Sequence, residues 1–435
     1  MAPANSSLNI YALLEHLTID GEEECTTPSP SSADINAVFA EDNAADYDDD
    51  NRQWYEEDEQ DDDFEPMETC FDLLILEQEQ AQRPLFSKDL LQEIASQVSW
   101  ITLQQSRSVS ERTIDHLEFT QPNGQGVTIW RAKNVANAIR VEYMTRVETS
   151  PIFQSRFGHD WKRSIPIHFL NPSLSEAQLT TPPPYYLTSF NSIPDTTHLS
   201  STSMTWWRTR LHRTQQLWNS STSCEKLTSA IRLGASKLTC PITKIVCFGL
   251  GALGKNAAFY SSSHQHMAAF SLANTLNTYN QAKHPEAPAV QIILSDPCYR
   301  PIDHILLQEL TSSPLGFGLS SPNALLAVDA NALVMTAYLP VTVPLMQILA
   351  DVFAGKSKEG PGMVLCDQMR GMGVEKRWYV MTDRSSPAVA MFLLGGYLVH
   401  KEGFGGMEEE FREDAFGGEK HMYWLEDMKL WLRKE

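Results

Sequence analysis

Apolar residues recur along this chain at two spacings, and from about residue 200 onward the two alternate. Trp207, Leu211, Thr214 and Trp218 stand at i, i+4, i+7 and i+11, and Cys224, Leu227 and Ile231 continue a second helical stripe as far as Gly234. A continuous apolar run, Thr243–Phe248, follows at once and reads as a buried strand. Ala269, Leu272, Ala273, Leu276 and Tyr279 then mark one face of a helix, with Ser263 placed as its N-cap and His264 as its start. The alternation continues with a strand at Val290–Leu294 and a helix opened by Pro301 that turns Ile302, Ile305, Leu306 and Leu310 inward. A short strand near 316–319 and a strand at Leu333–Leu339 come next. Thr342 is placed as the cap of a helix with Pro344 at its first position and Leu345, Ile348, Leu349 and Val352 on one face. A strand at Met363–Cys366 and a helix opened by Ser386–Pro387, running to Tyr397, complete the series. Strands apolar on both faces, separated by amphipathic helices, predict an α/β domain with a mostly parallel sheet covered on both sides.

The pattern is weaker before residue 200. Leu90, Leu91, Ile94 and Val98 have helical spacing. Ile114–Thr120 and Val127–Trp130 flank Pro122-Asn-Gly-Gln-Gly126 and predict a hairpin. Residues 171–205 are rich in Ser, Thr and Pro and read as a linker or long loop. Residues 1–80 hold 24 acidic side chains against one basic residue, Arg52, whereas the remainder holds 31 acidic and 33 basic ones. The net charge of −21 therefore belongs to one end of the chain, which is expected to be disordered and dispensable for folding. This tail is also a candidate docking segment for a basic protein partner, with Trp54, Tyr55 and Phe64 as anchors. The near-neutral remainder argues against a nucleic-acid groove. No apolar run reaches the length of a membrane span, and seven scattered cysteines without a C-x-x-C pair suit the cytoplasm or nucleus.

Candidate chemistry centres on Lys244–Asn256, KIVCFGLGALGKN, where a buried strand runs into glycines. Gly249, Gly251 and Gly254 spell the dinucleotide fingerprint G-x-G-x-x-G, although Asp296 follows Gly254 by about forty residues rather than the twenty usual for the ribose-binding acid. With Lys255 the same residues nearly form a P-loop, but Asn256 replaces the hydroxyl that would bind Mg²⁺. A tight turn at the end of a core strand competes with both readings. His264 and His266 point to different helix faces and do not readily share a metal. Cys298 and Cys366 stand near strand ends, where a thiolate ligand for haem or a metal competes with ordinary buried cysteine. Asp296, Asp303, Asp329 and Asp367 all fall near strand ends or helix starts, as bases, ligand acceptors or helix caps.

Several of these residues together resemble a known family. Cys247–Gly251 (CFGLG), Gln265, Asp296-Pro297, Asp329 and a strand ending Tyr338-Leu339-Pro340 occur in an order and spacing similar to the SRR-like (sensitivity to red light reduced) domain, over roughly residues 240–370. The resemblance implies a Rossmann-like domain without established catalysis, tied to circadian and light signalling or to regulation of haem biosynthesis and cytoskeletal stability. The acidic tail and Ser/Thr-rich insert resemble filamentous-fungal versions. Members often carry Pro-His-Cys after the fourth strand and Asn-Ser after the fifth, where this chain has Pro340-Val341-Thr342 and Asp367-Gln368. Any chemistry performed by those residues is lost here.

The expected organisation is thus a disordered acidic tail over 1–82, an α+β extension over 83–200, and a Rossmann-like, mostly parallel sheet with helices on both faces over 201–435. The function expected is regulatory and non-catalytic; the alternative is an enzyme using a nucleotide cofactor such as NAD or S-adenosylmethionine, and the ligand itself is not named by the sequence. In an open parallel sheet ligands bind beyond the carboxyl ends of the strands. Gly249, Gly251, Gln265, Asp296, Pro297, Pro340 and Asp367 are therefore expected to line one pocket.

Overall fold

The computed structural model describes residues 71–73, 84–106, 117–120, 127–130, 138–147, 184–190, 201–253, 258–318, 321–337, 339, 343–369, 371–379, 384–405 and 424–435. At its centre is a seven-stranded sheet. Its parallel strands are β6 (Lys244–Phe248), β7 (Gln291–Ser295), β8 (Leu315–Phe317), β9 (Ala332–Thr336) and β10 (Met363–Asp367), and its antiparallel edge comprises β12 (Tyr397–Glu402) and β13 (Met428–Arg433). The spatial order is β12-β13-β10-β9-β6-β7-β8. The chain therefore builds outward from β6 through β7 to β8, returns to the other side of β6 at β9, and continues to β10. This is the doubly wound order with its reversal between β6 and β9.

The apolar runs are continuous because each strand is buried on both faces. Ile245 and Cys247 of β6, Leu333 and Met335 of β9, and Met363 and Leu365 of β10 join one core. Their alternate neighbours Val246, Phe248, Val334, Val364 and Cys366 join the other. The first core is closed by α2 (Ser201–Ser220), α3 (Thr222–Ala235), α4 (Ala258–Lys283) and α5 (Pro301–Gln308). The Trp207/Leu211/Trp218 stripe lies buried there, as the spacing predicts. The second core is closed by α1 (Lys88–Ser106), α6 (Ser321–Leu326), α7 (Leu345–Val352) and α8 (Pro387–Ala390), which runs into a π turn at Met391–Gly395. Leu90, Leu91, Ile94 and Val98 of α1 pack in this same core, so the segment before residue 200 contributes to the sheet's covering layer. No helix among the described residues is long and apolar enough to cross a membrane.

Several local expectations change. The helix after the glycines begins at Ala258, not at His264. Ser262 and Ser263 lie inside it, buried, and the Ser262 hydroxyl donates to the Gly251 carbonyl at 2.8 Å. A serine run that looks like a break is thus a polar attachment for the preceding loop. Residues 171–205 include β5 (Tyr185–Phe190), which pairs antiparallel with β4 (Ala138–Tyr143), and α2 begins at Ser201. The helix opened by Pro387 ends in the π turn before β12. Finally, β1 (Phe71–Asp72), inside the span 1–82, pairs with β11 (Trp378–Tyr379), and the next residue, Leu73, is 1% exposed. Leu73→Ala is accordingly expected to lower the free energy of urea unfolding by about 2–4 kcal/mol; an unchanged midpoint would show that this strand contributes no packing.

The hairpin forms as predicted, with β2 (Leu117–Thr120) paired to β3 (Val127–Trp130). The acidic runs at 48–63, the turn at 122–126, Gly254–Asn256, Pro340 and Thr342 lie outside the described residues. In α7, Pro344 occupies the N-cap position and Leu345 begins the helix, one residue later than the spacing suggests.

Candidate functional site

The strand β6 ends at Phe248, and Gly249 and Gly251 take positive φ values of 68° and 77°. At Gly249 a β-carbon would stand 2.1 Å from Leu339 Cδ2, so the missing side chain makes room for Leu339. Leu339 follows β9, on the other side of the strand-order reversal. A dinucleotide would enter between β6 and β9; there the leucine, 8% exposed, packs onto the glycine backbone.

The loop's amides are also engaged. The Gly251 N–H donates to Asp296 Oδ2 at 3.0 Å, and the other oxygen of Asp296 accepts from Cys298 N–H at 2.8 Å. Leu253 N–H donates to Asp303 Oδ1 at 3.3 Å, while the Arg300 guanidinium bonds both the Leu253 carbonyl and Asp303. Asp303, fully buried at the start of α5, also accepts from Arg300 N–H. Two carboxylates thus face the amides that the fingerprint would present to a pyrophosphate. An anion there would meet negative charge.

Of the sequence-selected residues, Gly251 and Asp296 are brought into contact. Pro297 lies half-buried in the turn between Asp296 and Cys298. Gln265 is buried in the second turn of α4, not at its N-terminus. Asp367 ends β10, three inter-strand steps or about 14 Å from the end of β7. Cys366 and Cys298 are separated in the same way, so their thiols do not converge. Asp329 sits at the amino end of β9, paired with Lys244, on the side of the sheet away from Asp367. His266 is fully buried: Nδ1 lies 2.6 Å from the Ser262 carbonyl and Nε2 2.8 Å from the Tyr299 hydroxyl. A carbonyl only accepts, so Nδ1 carries the proton and Nε2 accepts from Tyr299. Both nitrogens are used within the core. Among the described residues no group of three potential metal ligands occurs.

Burial lowers the His266 pKa to about 4, opposed by its bond to Ser262. The unfolded chain therefore takes up a proton near pH 6.5, where the folded one does not. The stabilisation is complete above that pH and is lost as the pH falls toward 4. The stability advantage of wild type over His266→Gln is expected to shrink by up to about 3 kcal/mol between pH 6.5 and 4 in urea titrations. A constant difference would place an ionised imidazole in the core.

A cavity open to solvent lies over the carboxyl ends of β9 and β10, on the α7 face. Its wall includes Thr336, Leu339, Cys366, Asp367, the first turn of α7, and Arg384 to Ser386. Arg384 Nη1 donates to Asp367 Oδ2 at 2.6 Å. Thr145, Arg146 and Val147, just beyond β4, form another part of the wall. Arg146 is held by Asp351, whose carboxylate also accepts from the Leu85 and Phe86 amides and from Gln347 Nε2 at 2.6 Å. Gln347 Oε1 in turn accepts from the Ser386 hydroxyl. Burial raises the Asp351 pKa to about 6 against the pull of Arg146 and these donors. Burial also pushes the Cys366 thiol up to about 12. Sequence reading found Asp367 but missed the residues before 150, because nothing local connects Arg146 with a strand end two hundred residues later.

No curated protein and no solved structure matches the chain. Residues 214–387, from within α2 to the first residue of α8, match the family model described as the SRR1 domain, and over that span the chain carries an SRR-like domain.

Proposed function

We propose that this chain is a regulatory protein whose SRR-like domain responds to a small ligand bound over β9 and β10. The observation that carries this reading is the commitment of the cavity's ionisable groups. Asp367 is paired with Arg384, Asp351 with Arg146, and the Cys366 thiol is held protonated by burial. Such groups fix a binding surface, whereas a general base must release its partner to accept a proton near neutral pH. The resemblance to light-signalling and haem-regulating proteins supports a regulatory role, and the acidic tail and Ser/Thr-rich insert support a filamentous-fungal version. The scattered cysteines support the cytoplasm or nucleus. The acidic tail suits a basic protein partner.

An enzyme with a nucleotide cofactor is the competing reading, favoured by one observation: two positive-φ glycines follow the central strand of a doubly wound sheet. Thermal unfolding of the full chain with NAD, NADP, S-adenosylmethionine, ATP or haemin separates the two. A ligand at a hundred times its Kd adds about 2.7 kcal/mol to the folded state. The nucleotides are expected to leave Tm unchanged, because Leu339 and the loop carboxylates occupy their place. A saturable rise with NAD or S-adenosylmethionine would overturn the regulatory reading in favour of the enzyme, whereas a rise with haemin alone would tie the regulation to haem.

A further inference from the structure

We propose that the cavity over β9 and β10 binds a small oxyanion, a carboxylate or a phosphate monoester, carried on an apolar body. The proposal rests on the reading of this cavity as the ligand site, and adds the chemistry of what it takes.

Two independent features point to an oxyanion. Thr336, the last residue of β9, lines the cavity and is 3% exposed, and its buried hydroxyl has no hydrogen-bond partner among the described residues. A buried hydroxyl is costly to leave unpaired; an acceptor arriving with a ligand would satisfy it. Arg384, one-quarter exposed in the same wall, is paired through Nη1 with Asp367. A guanidinium has five donors in a plane, so the remaining ones can bond a second planar or tetrahedral anion.

The first turn of α7 adds donors. The first intrahelical bond there runs from Ile348 N–H to the Pro344 carbonyl. The amides of Met346 and Gln347 therefore have no acceptor within the helix, and both residues line the cavity. A cation finds no comparable provision, because the Asp367 carboxylate is already held by Arg384. The apolar part of the wall, Leu339, Val343, Met346, Met369 and Tyr379, suits a hydrocarbon or aromatic body.

The test uses the full-length chain and three probes of one shape: benzoate, phenyl phosphate and uncharged benzyl alcohol, titrated by calorimetry into wild type, Thr336→Val and Arg384→Gln. At least one anion is expected to bind wild type, and each substitution to weaken it tenfold or more. Thr336→Val is also expected to raise the Tm of the ligand-free protein, a result that a merely structural hydroxyl would not produce. Whichever anion binds more tightly identifies the oxyanion as carboxylate or phosphate. Equal affinity of the anions for wild type and both variants, or a lowered Tm in Thr336→Val, would overturn the proposal. Binding of benzyl alcohol but of neither anion would reject the oxyanion and leave the cavity as a ligand site. Silence from all three probes would reject the cavity reading as well.

Discussion

Gly249→Val is expected to destabilise the protein by about 3–5 kcal/mol, measured by urea unfolding, whereas Gly251→Ala costs about 1–2 kcal/mol. Both positions have φ near +70°, where an L side chain meets its own backbone. They differ in what surrounds the added atom. At Gly251 a β-carbon would meet Ser262 at 3.5 Å, an ordinary contact, so the backbone strain stands alone. At Gly249 it would overlap Leu339, which must leave the reversal point or displace β6. Adding Leu339→Ala to Gly249→Val should recover part of the loss, since the cavity left by the leucine accepts the new side chain. Strictly additive effects would show that the two residues do not share that space.

Asp351→Ala is expected to cost about 3–5 kcal/mol, because it removes an acceptor shared by Arg146, two backbone amides and Gln347 at once. Asp351→Asn should cost only about 1–2 kcal/mol. The amide keeps one acceptor oxygen and removes a charge whose burial is unfavourable, as the carboxyl's raised pKa shows. The consequence extends to the cavity. Asp351 ties Leu85, Phe86 and Arg146 to α7, so Asp351→Ala should also release the wall formed by Thr145 to Val147 and increase proteolysis between residues 84 and 147. Chemical denaturation and limited proteolysis of the two variants measure both effects; an Ala variant as stable and protected as wild type would show that the network holds nothing in place.

The sequence by itself determined the α/β class, the positions of β6, β7, β9 and β10, and the crossover helices α4, α5 and α7, but not α6 between β8 and β9. These follow from local burial: a strand covered on both faces must be apolar throughout, and a helix covered on one face must be apolar every third or fourth residue. The glycine conformations were legible too, since a strand that ends in Gly-Leu-Gly demands a turn. The contact between Gly251 and Asp296 follows from two adjacent parallel strands ending level with each other.

Only the tertiary structure decided what those residues do. The choice between a pyrophosphate and a carboxylate at the loop amides depends on where Asp296 and Asp303 come to rest, and the occupant of the reversal point depends on Leu339, ninety residues from Gly249. The start of α4 was hidden for a similar reason. Ser262 suits a helix interior only because Gly251 offers a carbonyl across the turn. β12 carries a weaker signal than the parallel strands, since its Leu398 and Val399 on the sheet edge remain exposed. The cavity over β9 and β10 was the least legible feature. Its wall joins Arg146, Thr336, Gln347 and Arg384, from segments whose sequence patterns report burial within each element, while the meeting of those segments is fixed by strand order and by the buried Asp351 network.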